Sequence, residues 1–87
     1  MARYSLAISN SAKKELIGLS DRVFDRIDPR ITALQAEPRP PGCKKLKGHR
    51  SLWRIRVGDY RVVYEVDDSE SAVTVLRLAH RSNAYAA

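Results

Sequence analysis

Cysteine is nearly absent from this chain of 87 residues, and long hydrophobic runs are missing altogether. A single cysteine, Cys43, excludes an internal disulfide and leaves a metal site without enough thiolate ligands, which fits a reducing compartment. No stretch approaches the roughly 18 apolar residues of a membrane-spanning helix, and the N-terminal sequence MARYSLAISN lacks the apolar segment of a signal peptide. We therefore expect a cytoplasmic protein that does not contact a membrane.

Acidic residues are also scarce relative to basic ones. The chain has 10 Asp and Glu against 16 Lys and Arg, a formal net charge of +6. With 44% hydrophobic residues it has the composition of a globular protein, and its length predicts one domain over residues 1–87. The excess positive charge favours a polyanion such as nucleic acid, or an acidic protein segment, as the partner.

The first part of the sequence predicts one strand followed by a helix. RYSLAIS alternates apolar and polar residues, which is the period-two pattern of a half-buried strand. The side-chain oxygens of Asn10 and Ser11 are candidate caps for a helix over about Ala12–Leu19. A second apolar stripe of helical period then predicts an antiparallel partner helix over Ser20–Ala36.

Proline interrupts the second helix and then ends it. Pro29 removes one helical hydrogen bond and disfavours helical backbone at the preceding residue, so we expect a bend or a restart at Asp28–Pro29. The stretch EPRPPGC contains three prolines and a glycine, which cannot continue a helix. It is predicted to be a stiff connection.

The second half predicts three antiparallel strands, LWRIRV, YRVVYEV and AVTVLRLAHR, joined by short turns. In the last strand, strict alternation sets one group of residues, Thr74, Leu76 and Leu78, opposite another, Val73, Val75, Arg77 and Arg81. The sequence thus predicts an α+β fold with an N-terminal strand, a helical hairpin and a three-stranded antiparallel meander. These form one four-stranded sheet with the helices on one face.

Basic residues gather on the other face of the predicted sheet. Five arginines are expected to emerge from three adjacent strands, with two lysines from the preceding segment: Arg54, Arg56, Arg61, Arg77, Arg81, Lys45 and Lys47. A solvated outer face is the plain alternative, because antiparallel sheets commonly have one. However, an ordinary surface would mix charge signs, and like charges across strands repel. Since guanidinium suits bidentate phosphate contact, we interpret this face as a surface for RNA or DNA.

Three segments, KKLKG, LWRIRVGDYRVVYEV and LRLAHRSNAY, resemble the RelE/ParE superfamily of toxins, specifically its RelE branch. The resemblance covers nearly the whole chain. It implies the toxin of a type II toxin-antitoxin system, a metal-independent endoribonuclease (mRNA interferase) without cofactors that cleaves mRNA in the ribosomal A site by 2′-OH attack. It also implies three partners: the ribosome, mRNA and a cognate acidic, RelB-like antitoxin, through which the complex would bind operator DNA.

The resemblance picks out individual residues, and the chemistry of RNA cleavage suggests their roles. The catalytic positions of the family fall on Lys45, Lys47, Arg61, Arg81 and Tyr85. A lysine is the expected general base, Arg61 the phosphate clamp and Arg81 the stabiliser of the transition state, while Tyr85 stacks on a base or joins the proton transfer. RNA contacts are expected from Arg54, Arg56, Arg77 and His49. The plain alternatives are that the lysines only neutralise phosphates and that Tyr85 only packs.

A function from another class stays open. A ParE-like protein would inhibit DNA gyrase by binding it, without catalysis. The two branches share a fold, so fold alone does not separate them. The nuclease is preferred because a gyrase binder would not need the five catalytic-type residues.

Overall fold

The computed structural model describes residues 3–48 and 51–82, which form a five-stranded sheet with two helices packed on one face. The elements are β1 (Ser5–Ile8), α1 (Asn10–Ile17), α2 (Asp21–Thr32), β2 (Lys44–Lys45), β3 (Leu52–Val57), β4 (Tyr60–Asp67) and β5 (Ala72–His80). The strand order is β1-β5-β4-β3-β2, with β1 parallel to β5 and the other pairs antiparallel. The predicted α+β fold is confirmed, with a fifth strand because Lys44–Lys45 pairs with β3.

The hydrophobic core lies between the helices and the inner face of the sheet. The helices contribute Ala12, Leu16, Ile27 and Ile31, and the strands contribute Ile55, Val57, Val62, Tyr64, Val66, Val73, Val75 and Leu78. Burial of this face fixes the strand register, because a slip of one residue would turn the apolar side chains to solvent. No helix within the described segments is long and apolar enough to cross a bilayer.

Ser9 starts α1, in place of the predicted caps Asn10 and Ser11. Its backbone is extended, and its Oγ accepts a hydrogen bond of 3.1 Å from the N–H of Ala12. The same hydroxyl donates to the carbonyl of Leu76 at 2.9 Å, and the Ser9 N–H donates to the carbonyl of Val75 at 2.8 Å. Ser9 therefore caps the helix and joins its start to β5.

α2 continues through Pro29, so the predicted restart of the helix at Asp28–Pro29 is wrong. The proline removes only the hydrogen bond to the carbonyl of Asp25, and both residues are exposed, so water can bind that carbonyl. Ile27 and Ile31, on either side of the proline, are 0% and 2% exposed. Their burial holds the helix together where local propensity would end it.

β5 departs from strict alternation at Leu76. Val63 of β4 pairs with Arg77, yet the next residue, Tyr64, pairs with Val75. Leu76 therefore has no partner on β4 and forms a β-bulge, which inserts one extra residue into the strand.

The bulge overturns the predicted face assignment in the first half of β5. Val73 and Val75 lie in the core together with Leu78, although strict alternation places Leu78 on the other face from them. Thr74 pairs with Glu65 on the outer face of the sheet. Because the alternation restarts after Leu76, Arg77 still faces outward.

Asp68 connects three distant parts of the chain. Its carboxylate accepts a hydrogen bond of 2.7 Å from the Tyr4 hydroxyl and two bonds, of 3.2 and 2.7 Å, from the Arg39 guanidinium. The hydrogen bonds from Arg39 and then from Tyr4 hold the pKa of Asp68 below its usual range. The proline-rich connection is fixed nearby, because the Tyr64 hydroxyl donates to the carbonyl of Pro38 at 2.7 Å.

Replacing Asp68 by Asn should make the free energy of unfolding fall less steeply as the pH is lowered. The folded pKa of this carboxyl lies below the unfolded value, so its contribution is present above the unfolded pKa and is lost as pH falls through the folded pKa. Urea unfolding between about pH 6 and about pH 2 should therefore show a steeper decline for the wild type than for Asp68→Asn. Glu70→Gln, in the same turn, is the matched control and should decline like the wild type. Equal slopes for the wild type and Asp68→Asn would contradict the prediction.

Candidate nucleic-acid interface

Three arginines from neighbouring strands converge on one small pocket. Arg56 belongs to β3, Arg61 to β4, and Arg81 directly follows β5. The pocket has a volume of about 150 Å³ and is lined by Arg56, Gly58, Asp59, Tyr60, Arg61 and Arg81. We call it the arginine pocket.

The sheet register brings these side chains side by side. Arg56 lies directly opposite Arg61, and Arg61 lies opposite Ala79, two residues before Arg81. The methyl side chain of Ala79 leaves space beside Arg61. The N–H of Arg81 donates a hydrogen bond of 2.7 Å to the carbonyl of Asp59, which holds the chain after β5 against the β3–β4 turn.

The β3–β4 turn requires glycine at position 58. Gly58 has φ = +61°, a conformation that costs glycine little and other residues more. A Cβ at this position would lie 3.1 Å from Nη2 of Arg26, so the guanidinium of this α2 residue lies over the turn. Sequence reasoning missed Arg26, because helical periodicity marks it as exposed but does not show which turn it contacts.

The arginine pocket concentrates like charges. Arg56 and Arg61 face each other across two strands, and a like-charged pair in this position is unfavourable by roughly 0.2–1 kcal/mol. Asp59 is the acidic residue among the six lining residues. A sheet selected only for stability would avoid this arrangement, and its concentrated positive charge is suited to an anion.

The outer face also carries Arg54 and Arg77, both predicted to contact RNA. Both lie opposite Val63, one on β3 and the other on β5. Arg77 forms an ion pair of 3.2 Å with Glu15 of α1, and the Glu15 carboxylate also accepts a hydrogen bond of 2.8 Å from the N–H of Leu78. Arg77 is thus engaged with α1, and neither arginine lines the arginine pocket.

The two predicted catalytic lysines do not line the arginine pocket. Lys45 pairs with Trp53, whose side chain packs against the core, and the Lys45 Nζ is 6.0 Å from the centre of that ring. The expectation that Lys45 projects from the outer face of the sheet is therefore corrected, because its pairing with Trp53 places it on the helix side. Lys44, its neighbour, pairs with Arg54 on the outer face. Lys47 is exposed in the turn after β2.

His80 is engaged beside the arginine pocket and does not line it. Its ring meets Tyr60 edge-on, with 5.1 Å between the ring centres, and its Nδ1 lies 2.8 Å from the Ser82 hydroxyl oxygen. These contacts give His80 a packing role. The remaining predicted site residues, His49 and Tyr85, lie outside the described residues.

Two protein relatives cover nearly the full length of the chain. Toxin RelG of Mycobacterium tuberculosis is 26% identical over 83 residues, covering 94% of this chain and 95% of the relative. Toxin RelE of the same organism is 30% identical over 83 residues, covering 94% of this chain and 86% of the relative.

Solved structures show the same architecture. The toxin-antitoxin pair RelE-RelB of the archaeon Pyrococcus horikoshii contains a chain that is 31% identical, with a TM-score of 0.82 and coverage of 97% of this chain and 100% of that chain. The RelBE toxin-antitoxin complex of E. coli contains a chain that is 26% identical, with a TM-score of 0.78 and coverage of 88% and 95%. The family model of the ParE toxin of the type II toxin-antitoxin system, parDE, matches residues 6–85. This chain therefore belongs to the ParE toxin family of type II toxin-antitoxin systems, and it is similar to RelE toxins.

Proposed function

We propose that this toxin is a metal-independent endoribonuclease that cleaves mRNA in the ribosomal A site, and that a cognate acidic antitoxin neutralises it. The observation that carries the proposal is the convergence of Arg56, Arg61 and Arg81 on one pocket. The RelE names of the relatives support a RelE-type activity, and the RelE-RelB complexes support an antitoxin partner.

The dimensions of the arginine pocket suit a phosphate group. Its volume of about 150 Å³ is well below the roughly 300 Å³ at which small-molecule sites begin. Guanidinium groups present paired N–H donors that match two phosphate oxygens. An RNA chain would therefore place one phosphodiester here, with its sugars and bases outside.

The three guanidiniums can stabilise the cleavage reaction itself. In RNA cleavage by the neighbouring hydroxyl, the 2′-OH gives up its proton to a base and its oxygen attacks phosphorus. The bond to the 5′-oxygen breaks, that oxygen takes up a proton, and a 2′,3′-cyclic phosphate and a 5′-hydroxyl result. Negative charge gathers on the phosphorus oxygens during the attack, and fixed cations stabilise it. Arg61 lies on the central strand of the three and acts as the clamp, with Arg56 and Arg81 on either side.

Guanidinium cannot take the 2′-OH proton, because arginine stays protonated at any physiological pH. The lysines that the family resemblance assigns as bases do not line the arginine pocket. The site thus contributes phosphate positioning and charge stabilisation, and it depends on the ribosome to orient the codon for in-line attack. Free RNA is expected to be a poor substrate.

Arg56→Gln should raise the stability of the protein and weaken its binding of anions. The substitution removes the like-charged pair with Arg61, so the free energy of unfolding should rise by about 0.5 kcal/mol. Inorganic phosphate should stabilise the wild type in urea unfolding and stabilise the variant less. Arg77→Gln, which does not alter the arginine pocket, should keep the full response to phosphate. An equal response in Arg56→Gln and the wild type would contradict phosphate binding in this pocket.

Arg81→Ala should slow codon-specific cleavage about 100-fold, the usual cost of losing one donor to transition-state charge. The assay incubates the toxin with ribosomes programmed with a defined mRNA and maps the cuts by primer extension. Lys13→Ala, an exposed change on α1, is the control and should cleave like the wild type. Intact mRNA together with blocked DNA supercoiling by gyrase would support the ParE-like alternative instead.

Charge reversal in the arginine pocket should weaken antitoxin binding. An acidic segment that covers the pocket would lose its two central ion pairs in Arg61→Glu/Arg81→Glu, so the dissociation constant should rise at least 10-fold, a typical effect of a lost charged contact. Calorimetry with the cognate antitoxin measures this change. An unaltered dissociation constant would show that the antitoxin binds another face.

A further inference from the structure

We propose that Arg22, Arg26 and Arg30, called here the arginine row, are a second RNA-binding element that carries the RNA backbone from the arginine pocket over the β3–β4 turn and along α2. The inference rests on the proposed function, because it takes RNA as the ligand of the pocket. It adds a contact with the phosphates that flank the one being cleaved, or with phosphates of ribosomal RNA.

Continuity of α2 aligns the arginine row. The helix runs unbroken over Asp21–Thr32, so residues four positions apart lie on one side of it. All three arginines are exposed, and successive members are separated by about 6 Å along the helix axis, from a rise of 1.5 Å per residue. This spacing is comparable with that of successive phosphates in an RNA strand. A restart of the helix at Asp28–Pro29 would have moved Arg30 out of line with Arg22 and Arg26.

Arg26 makes the arginine row continuous with the arginine pocket. Its guanidinium lies over Gly58, where an added Cβ would come within 3.1 Å of Nη2. Gly58 itself lines the pocket beside Arg56 and Arg61. A phosphodiester strand leaving the pocket across this turn would meet Arg26, the middle member of the row, and would then follow α2 toward Arg22 or toward Arg30.

Most charges on α2 are segregated by sign along the helix. One opposite-charged pair, Arg22–Asp25, has the favourable spacing of three residues, but the acidic residues Asp21, Asp25 and Asp28 otherwise lie on a separate row. The i, i+4 pairs are therefore like-charged, at Arg22–Arg26, Arg26–Arg30 and Asp21–Asp25, and each such pair is unfavourable by roughly 0.2–0.5 kcal/mol. A helix that only needed solubility would place opposite charges four residues apart.

The arginine row is also available to an external anion. In the segments that the structure describes, Arg39 pairs with Asp68 and Arg77 with Glu15, whereas no member of the row forms an ion pair. The guanidiniums thus need not break an internal contact before they bind phosphate. Their regular spacing and their junction with a phosphate-sized pocket favour RNA over an acidic protein segment.

The test compares two triple variants that lose the same charge. Arg22→Gln/Arg26→Gln/Arg30→Gln removes the arginine row, and Arg3→Gln/Lys13→Gln/Lys14→Gln removes three exposed cations, one before β1 and two on α1. Glutamine is a good helix former, so both proteins should fold, and circular dichroism checks this. Arg26→Lys, which keeps the charge but loses the bidentate fork, is a second and milder variant.

Binding is measured at several salt concentrations, with a short single-stranded RNA in one arm and with ribosomes lacking mRNA in the other. Each phosphate contact with a single strand contributes about 0.7 to the slope of log K against log salt, so loss of two or three such contacts should lower the slope by about 1.4 to 2 while the control keeps it. A lower slope with the short RNA identifies the mRNA strand as the ligand, and a lower slope with ribosomes alone identifies ribosomal RNA. Arg26→Lys should keep the slope and bind more weakly.

Equal slopes for the two triple variants in both arms would overturn the proposal. It would also be overturned if loss of the arginine row weakened binding of the antitoxin and left RNA binding unchanged. The outcome is separable from that of the proposed function. A wild type that cleaves mRNA while the slopes stay equal contradicts only the arginine row. A wild type that cleaves nothing contradicts the nuclease, and the slopes still decide whether the row binds RNA.

Discussion

The unpaired residue Leu76 in β5 determines which side chains reach the arginine pocket. Before it, Val73 and Val75 pack in the core, and after it Leu78 does, so the strand changes its alternation once along its length. A regular strand that buried both valines would turn Arg77 into the core and Leu78 to solvent, with an unpaired charge buried at a cost of several kcal/mol. The bulge lets one strand bury all three aliphatic residues and still direct its basic end outward.

Ser9 holds the bulge in place. Its hydroxyl and its N–H bond the carbonyls of Leu76 and Val75, and the same hydroxyl caps α1. α1 then carries Glu15, which binds the N–H of Leu78 and the guanidinium of Arg77. The edge of β5 that β1 leaves uncovered is thus satisfied by side chains from one short helix, which keeps it from pairing with another chain.

Periodicity in the sequence was sufficient to predict the strands that have one buried face and one exposed face. β3 and β4 place Ile55, Val57, Val62, Tyr64 and Val66 in the core at alternate positions, although Val63 on the outer face is also buried, and both strands were predicted to within a residue. β2 was missed because both of its residues, Lys44 and Lys45, are exposed and give no alternation. Burial of Ile27 and Ile31 overrode the local effect of Pro29, and a bulge adds a residue without any mark in the composition of the strand.

A cluster of arginines on the outer face of the sheet could be predicted from the sequence, but only some of the residues of the candidate site could. Strand parity gathers Arg56 and Arg61 by direct pairing, and this follows from the sequence once the turn at Gly58 is recognised. The assignment of the lysines depended on the family resemblance. Because β2 was not predicted, the sequence did not show which face of the sheet Lys45 lies on. The contact of Arg26 with the turn depends on how α2 packs on the sheet, which no local pattern encodes.

The shift of register in β5 is the feature on which the position of the arginine pocket depends most directly. Nuclear Overhauser contacts between backbone protons of β4 and β5 measure it in solution. Cross-strand contacts that pair Val63 with Arg77 and Tyr64 with Val75 are expected, with none that pair Tyr64 with Leu76. Contacts that continue in regular register from Val63–Arg77 to Tyr64–Leu76 would contradict the bulge and the grouping of arginines that follows from it.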